Sequence, residues 1–109
     1  MRPDGVLFDL DGTLWDNTAN AAEAWARALC SVPEHPPAPT QEDIRACCGY
    51  ALPELAERLV PSPPPQRAME IVQECYKLEG PVTRERGGIL YAGVEQMLRT
   101  LSQRLPLFL

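Results

Sequence analysis

Three carboxylates lie close together near the amino terminus, at Asp9, Asp11 and Asp16, and Gly12 and Thr13 stand between them. So much negative charge in a short loop is costly unless a positive group sits among the side chains. One carboxylate can attack phosphorus and form an aspartyl-phosphate. A second, two residues on, can give a proton to the leaving oxygen and later take one from water. The spacing therefore suits covalent phosphoryl transfer, with an ordinary capped turn as the alternative that involves no chemistry.

The groups around these carboxylates suit a metal ion and a phosphate. Carboxylate, carbonyl and water oxygens are the ligands that Mg²⁺ prefers, so Mg²⁺ is the cofactor that this loop suits. Gly12 permits a tight turn and a close approach of the backbone to phosphate. Main-chain donors around Leu10 can help to hold the phosphate oxygens.

Other metal sites fit the pattern less well. A calcium-binding EF-hand loop that begins at Asp9 would need glutamate at its twelfth position, where Asn20 stands. The cysteines include no Cys-x-x-Cys pair, so we predict no zinc site and expect reduced thiols. The zinc-type residues are Cys30, Cys47, Cys48, Cys75 and the single histidine, His35.

The acidic loop follows a short apolar run at residues 5–8. Its length and β-favouring residues predict a strand buried on both faces, as in a parallel sheet. In such sheets ligands bind just beyond the carboxyl ends of the strands, which places Asp9 and Asp11 at a binding position.

The segment from 18 to 82 is predicted to form four helices and no strands. Thr40 begins a capping-box pattern for one short helix. Gly80 and Pro81 are expected to end the last helix. The predicted helices cover residues 19–30, a short stretch after Thr40 that Gly49 ends, residues 53–60 and residues 65–79.

The pattern changes after Gly88. An apolar stripe at helical spacing predicts a helix over 93–104, and residues 105–109 predict a second buried strand. The predicted order of elements is strand, acidic loop, helical insert, helix and strand. This order describes a βαβ unit with an inserted helical module, and such a fold belongs to the α/β class. We therefore expect a core strand and loop at 1–17, a helical cap at 18–82, and a return to the core at 83–109.

Two segments of the chain resemble those of a known family. Residues 6–16, Val-Leu-Phe-Asp-Leu-Asp-Gly-Thr-Leu-Trp-Asp, closely resemble the first motif of the haloacid dehalogenase superfamily. The inserted helices make it most similar to subfamily IA, the phosphoglycolate phosphatase-like branch. Residues 90–94, Leu-Tyr-Ala-Gly-Val, resemble the Tyr-Pro-Gly-Val start of the next core helix in that branch, with Ala92 in place of proline.

The resemblance implies a role for each loop residue. Asp9 would be the nucleophile and a Mg²⁺ ligand. Asp11 would be the general acid and base, with its main-chain carbonyl on the metal. Leu10 and Gly12 would contribute to the phosphate cradle, and Thr13 would brace the loop beside it. The implied activity is a Mg²⁺-dependent phosphatase on small phosphorylated metabolites, with a phosphosugar mutase as the alternative.

Members of that family need further groups that this sequence does not supply. These are a Ser or Thr for phosphate, a Lys, and an acidic pair for the metal; the only lysine, Lys77, falls on a predicted cap helix. We therefore expect a Rossmann-like core that is incomplete, the amino-terminal portion of a longer protein, with an unpaired apolar face and no turnover by this chain. A non-catalytic fragment or helical interaction module remains a competing hypothesis.

Composition restricts the partners. Apolar residues make up 45%, which is enough for a packed core. The net charge is −5 with charges of both signs interspersed, which argues against nucleic acid and anionic membranes. There is no targeting signal or apolar run of membrane-spanning length, so a cytoplasmic location is expected. The sequence specifies no oligomeric state.

The two tryptophans receive different predictions. Trp25 lies on a helical apolar stripe and is expected in the core. Trp15, directly after the acidic loop, is a candidate for lining a substrate pocket. Asp16 serves either the site or the start of the following helix.

Overall fold

The computed structural model describes residues 1–109, and its chain forms two compact units. One unit, called here the sheet unit, contains residues 1–17 and 88–109. The other, the helical unit, contains residues 18–87. The elements in chain order are β1 (Val6–Leu7), β2 (Trp15–Asp16), α1 (Thr18–Cys30), α2 (Gln41–Ala46), α3 (Leu52–Leu59), α4 (Pro65–Arg86), β3 (Ile89–Leu90), α5 (Val94–Ser102) and β4 (Leu107–Phe108).

Two pairs of short strands organise the sheet unit. Strand β1 lies parallel to β4, with Val6 opposite Leu107. The crossover between them contains the whole helical unit followed by α5, which confirms the predicted α/β class and the parallel pairing. Strands β2 and β3 form an antiparallel pair that the sequence did not reveal, because two residues are too few to show an alternating pattern.

The prediction that β1 and β4 are buried on both faces was wrong. Leu7 keeps 77% of its surface exposed and Phe108 keeps 59%. The sheet has two strands, and only α5 packs on β4, so no second layer covers it. The sheet unit thus keeps apolar side chains uncovered, as predicted, and Ile89 and Leu109 are likewise 71% and 75% exposed.

The helical unit has a continuous core. Helix α4 packs against both α1 and α3, and the predicted four helices are all present. Trp25, predicted to be in the core, is 1% exposed. The capping box is also confirmed, because the Thr40 hydroxyl accepts from the Asp43 amide while the Asp43 carboxylate accepts from the Thr40 amide. The largest fully buried side chains are Trp25, Val60, Ile71, Val72 and Cys75.

The prediction that α4 ends at residue 79 was also wrong. The helix continues through Gly80 and Pro81 to Arg86. An interior proline costs about 3 kcal/mol and an interior glycine about 1 kcal/mol, so tertiary contacts must outweigh the local signal. Val82, only 2% exposed, supplies such a contact beyond the proline. Residues 82 and 83, between which the cap was expected to end, both lie inside α4, and Gly87 caps the helix after Arg86.

None of the helices has the length and apolar character needed to cross a membrane.

Candidate active site

The acidic loop begins where β1 ends. The Phe8 amide donates to the Phe108 carbonyl at 2.8 Å, which is the last main-chain bond between these parallel strands. Asp9 follows directly. It therefore lies at the carboxyl end of the strand, the position at which parallel α/β sheets bind ligands.

A tight turn shapes the loop. The Leu10 carbonyl accepts from the amides of Thr13, Leu14 and Trp15 at 3.2, 2.9 and 3.3 Å. Gly12 has φ of +74°, a left-handed conformation that costs side-chain-bearing residues energy, so glycine suits this position. The turn brings Asp9 and Asp11 out on the surface, where both are exposed.

Buried anchoring stabilises the far side of the turn. The Leu14 side chain is 6% exposed. Its carbonyl accepts from the Tyr91 amide at 3.1 Å, and Trp15 in β2 pairs with Leu90 in β3. The loop is therefore joined by main-chain bonds to the segment that returns from the helical unit.

Each of the two carboxylates has one partner within the loop. Thr13 donates its hydroxyl to Oδ2 of Asp9 at 3.3 Å. Trp15 donates its indole N–H to Oδ1 of Asp11 at 2.7 Å. Each bond engages one oxygen, and neither carboxylate has an ion-pair partner. The Thr13 bond joins two side chains of the same loop, those of Thr13 and Asp9.

The loop amides divide into two groups. The Gly12 amide donates to the Trp15 carbonyl at 2.9 Å, and the Thr13 amide donates to Leu10, so both are engaged within the turn. The amides of Leu10 and Asp11 make no main-chain hydrogen bond. Of the predicted phosphate-binding residues, Leu10 is thus the one whose main-chain donor is not used by the fold.

An apolar cavity of about 620 Å³ lies in the sheet unit next to the loop. Its walls include Leu10 and Leu14 from the loop, Leu98 from α5, and Leu107 and Phe108 from β4. The acidic loop therefore has exposed carboxylates on one side and uncovered apolar surface on the other.

The sequence matches the haloacid dehalogenase-like hydrolase family over residues 3–109, almost its whole length. The chain belongs to this family. The comparison with curated proteins returned no significant match. The family is one of hydrolases. The parallel β1–β4 pair, after which the Asp9 loop begins, agrees with this assignment.

Within this family member, the remaining candidate residues are dispersed. Asp16 lies in β2 opposite Ile89. Lys77, on α4 in the helical unit, pairs with Glu74 at 2.6 Å. Across the chain, no three or more His, Cys, Asp or Glu side chains are grouped so that they could hold a metal ion. The site therefore consists of the Asp9–Thr13 loop and its immediate contacts.

Shifted pKa values occur in the helical unit and have structural causes. Burial, followed by the nearby Glu79 charge, raises the pKa of Cys75 to about 12. Hydrogen bonds from the Thr40 amide and hydroxyl lower the pKa of Asp43. The side-chain bond with Arg67 lowers the pKa of Glu34. These shifts come from core packing, a helix cap and a surface ion pair.

One contact in the sheet unit was missed by sequence reasoning. The Trp15 indole lies against the backbone of Gly88, so close that a Cβ there would be 2.6 Å from Cε3 and 2.8 Å from Cγ. Trp15 also lines the apolar cavity of the sheet unit. Its hydrogen bond to Asp11 and its contact with Gly88 join residues distant in sequence, and no local pattern indicates them.

Proposed function

We propose that this hydrolase carries the chemistry of a Mg²⁺-dependent phosphatase that acts on small phosphorylated metabolites through an aspartyl-phosphate. The observation that carries the proposal is the placement of Asp9 directly after β1, with Asp11 two residues on and immediately before the turn at Gly12. The exposed carboxylates leave room for a substrate. The family match supports a hydrolytic reaction.

Two steps account for the reaction. In the first, a carboxylate oxygen of Asp9 forms a bond to phosphorus while the bond between phosphorus and the substrate oxygen breaks. Protonated Asp11 gives its proton to that leaving oxygen. In the second, Asp11 takes a proton from water as the water oxygen bonds to phosphorus. The acyl-phosphate bond breaks, which releases phosphate and restores Asp9.

The loop's donor chemistry fits magnesium. Mg²⁺ commonly takes one or two carboxylates, keeps several waters and contacts substrate phosphate. The Asp9 carboxylate and the Asp11 carbonyl would hold it. When bound, the ion supplies positive charge that offsets the repulsion between the phosphate and the carboxylates. The small protein ligand set is consistent with weak binding.

The inserted helices support the proposed substrate class. Four helices occupy the connection between the Asp9 loop and α5, which supports placement in subfamily IA, the phosphoglycolate phosphatase-like branch. An exposed loop with a few donors and no basic patch suits a small phosphorylated metabolite. A phosphosugar mutase shares the first step and differs in returning the phosphoryl group to the substrate.

Phosphoryl capture tests the nucleophile directly. Incubation with acetyl phosphate and Mg²⁺, followed by acid quenching, should give a label on the protein that hydroxylamine removes. Asp9→Asn should abolish the label, and Asp4→Asn, which changes an exposed carboxylate of the same unit, should retain it. Absence of label in the unaltered chain, or equal label in Asp9→Asn, would contradict the assignment.

Steady-state turnover provides a second measurement. Neither Asp9 nor Asp11 has a cationic partner in the sheet unit, and both are exposed, so electrostatic stabilisation of the transition state is small. We expect no detectable Mg²⁺-dependent release of nitrophenol from p-nitrophenyl phosphate by the 109-residue chain. Turnover at rates typical of enzymes and lost in Asp9→Asn would show that the loop alone suffices.

A further inference from the structure

The hydrogen bond between Trp15 and Asp11 is the shortest side-chain contact in the loop. Nε1 of Trp15 lies 2.7 Å from Oδ1 of Asp11. An indole N–H donates and cannot accept, so its partner oxygen must present a lone pair. The bond therefore distinguishes the two oxygens of Asp11: Oδ1 accepts from the indole, and Oδ2 does not.

The Trp15 backbone is fixed from several sides. Its amide donates to the Leu10 carbonyl at 3.3 Å, and its carbonyl accepts from the Gly12 amide at 2.9 Å. It also pairs with Leu90 across the β2–β3 ribbon. These bonds fix the main chain of Trp15, so the place of the indole N–H depends on the side-chain torsions and on what the ring contacts.

Gly88 provides the surface on which the indole lies. A Cβ at this position would come within 2.6 Å of Cε3 and 2.8 Å of Cγ of Trp15. Real Cβ atoms do not approach other atoms so closely. Because Cγ is attached next to the backbone, a small rotation of the ring does not relieve the clash. The observed position of the indole thus requires glycine at 88.

From these contacts we infer that Trp15 is a positioning residue for Asp11 and that Gly88 makes this position possible. The indole N–H holds Oδ1 and so presents Oδ2 towards the reacting groups. The inference rests on the proposed function for its chemical meaning, since Asp11 transfers the proton there. The geometry itself depends only on Trp15, Asp11 and Gly88.

Indole NMR signals test the geometry without any reaction. The chain has two indoles, and Trp25 donates to Glu79 at 2.6 Å inside the helical unit, which makes it an internal control. Asp11→Ala should shift the Trp15 Hε1 signal to that of a free indole and speed its exchange with water about tenfold. The Trp25 signal should not move. An unchanged Trp15 signal would overturn the inference.

A pair of glycine variants tests the surface beneath the indole. Gly88→Ala should displace the ring and shift the Trp15 signal as Asp11→Ala does. Gly80→Ala is the matched control, because a Cβ there would meet only the flexible end of Arg84, at 3.3 Å. If Gly88→Ala leaves the Trp15 signal in place, the inference is wrong. The Trp25 signal reports in both variants whether the helical unit is folded.

Trp15→Phe separates positioning from packing. It keeps an aromatic ring over Gly88 and removes the N–H. We expect the carboxyl ¹³C signal of Asp11 to move and, in protein labelled by acetyl phosphate, the loss of label to slow several-fold relative to its formation. If the Asp11 signal does not move and label loss keeps its rate, Trp15 serves packing only. If no label forms on the unaltered chain, the proposed function fails, while the NMR signals still decide the role of Trp15.

Discussion

The two units bury their apolar residues to very different degrees. In the helical unit, Trp25, Ile71 and Val72 are at most 1% exposed. In the sheet unit the most buried side chains are Leu14 and Val94, at 6% and 8%. Regions with few buried apolar contacts open at lower free energy than well-packed ones. Packing is therefore concentrated in the helices, and the chemistry-bearing loop lies on the less covered unit.

The two tryptophans show the same contrast. Trp25 donates to Glu79 and meets the Tyr76 ring edge-on, with centroids 5.9 Å apart and planes at 87°. Trp15 donates to Asp11 from a partly exposed position. The first bond satisfies a polar atom that burial would otherwise leave unpaired, whereas the second orients a carboxylate on the surface.

The largest expected effect is the loss of a core side chain from the helical unit. Ile71→Ala removes atoms from a fully buried position and should lower the free energy of unfolding by about 2–5 kcal/mol. Urea denaturation followed by the far-ultraviolet circular dichroism of the helices measures it. Leu7→Ala is the matched sheet-unit control, and an equal loss there would show that the two units are not packed differently.

Alkaline pH should weaken the helical unit next. Burial raises the pKa of Cys75 to about 12, from an ordinary value of 9.0. Below pH 9 the thiol is neutral in both states, so its contribution to stability is fully present. Above pH 9 the unfolded chain releases the proton and the folded chain keeps it. Stability should therefore fall by about 1 kcal/mol per pH unit towards pH 12.

Cys75→Ala distinguishes this cause from general alkaline denaturation. The variant is less stable at neutral pH because it loses buried volume, but its stability should fall less steeply above pH 9. Urea midpoints at pH 8 and pH 10 give the comparison. Tyr76, whose pKa burial also raises, adds a loss of the same sign above pH 10 in both proteins. Identical slopes in the two proteins would exclude Cys75 as the source.

A smaller gain should come from the interior of α4. Gly80→Ala removes the backbone freedom of glycine inside a helix and should stabilise the helical unit by about 0.5–1 kcal/mol. Thermal unfolding measures the gain. Destabilisation instead would mean that α4 depends on glycine beside Pro81, for example to accommodate a bend.

The smallest effect on stability should come from the exposed face of the sheet unit. Leu7→Ser changes a side chain that is 77% exposed, so the free energy of unfolding should move by less than about 0.5 kcal/mol. The same change should reduce the fluorescence of a dye that binds hydrophobic surfaces. A large loss of stability would indicate that this face is covered in solution.

Local signals account for what the sequence predicted correctly. The capping box at Thr40 and the turn at Gly12 depend on neighbouring residues. The capping box has the predicted hydrogen bonds, and the turn lies at the predicted position. Pro81 is also a local signal, and it led to the wrong prediction that α4 ends before it. The helix continues past Pro81, and Val82 is buried there. Where tertiary packing opposes a local preference, a sequence pattern alone does not show which prevails.

Long-range contacts account for what was missed. The β2–β3 pair has two residues on each strand and arises only when the chain returns from the helical unit. The contact between Trp15 and Gly88 belongs to that pair, so neither its existence nor the orientation it gives Asp11 has a signature near the motif. The position of the acidic loop at the end of β1 was therefore predictable from the sequence, and its contacts with residues that follow the helical unit were not.

The fit between Trp15 and Gly88 constrains how this lineage can change. A larger residue at 88 excludes the indole, so position 88 can change only after Trp15 has been replaced by a smaller residue. A substitution of Gly88 that arises first should be harmful, and one that follows replacement of Trp15 by a smaller residue should be tolerated. Among homologous chains, a large aromatic residue at the first of these positions should accompany glycine at the second. Such covariation would show that the contact between positions 15 and 88 has been kept during the evolution of the family.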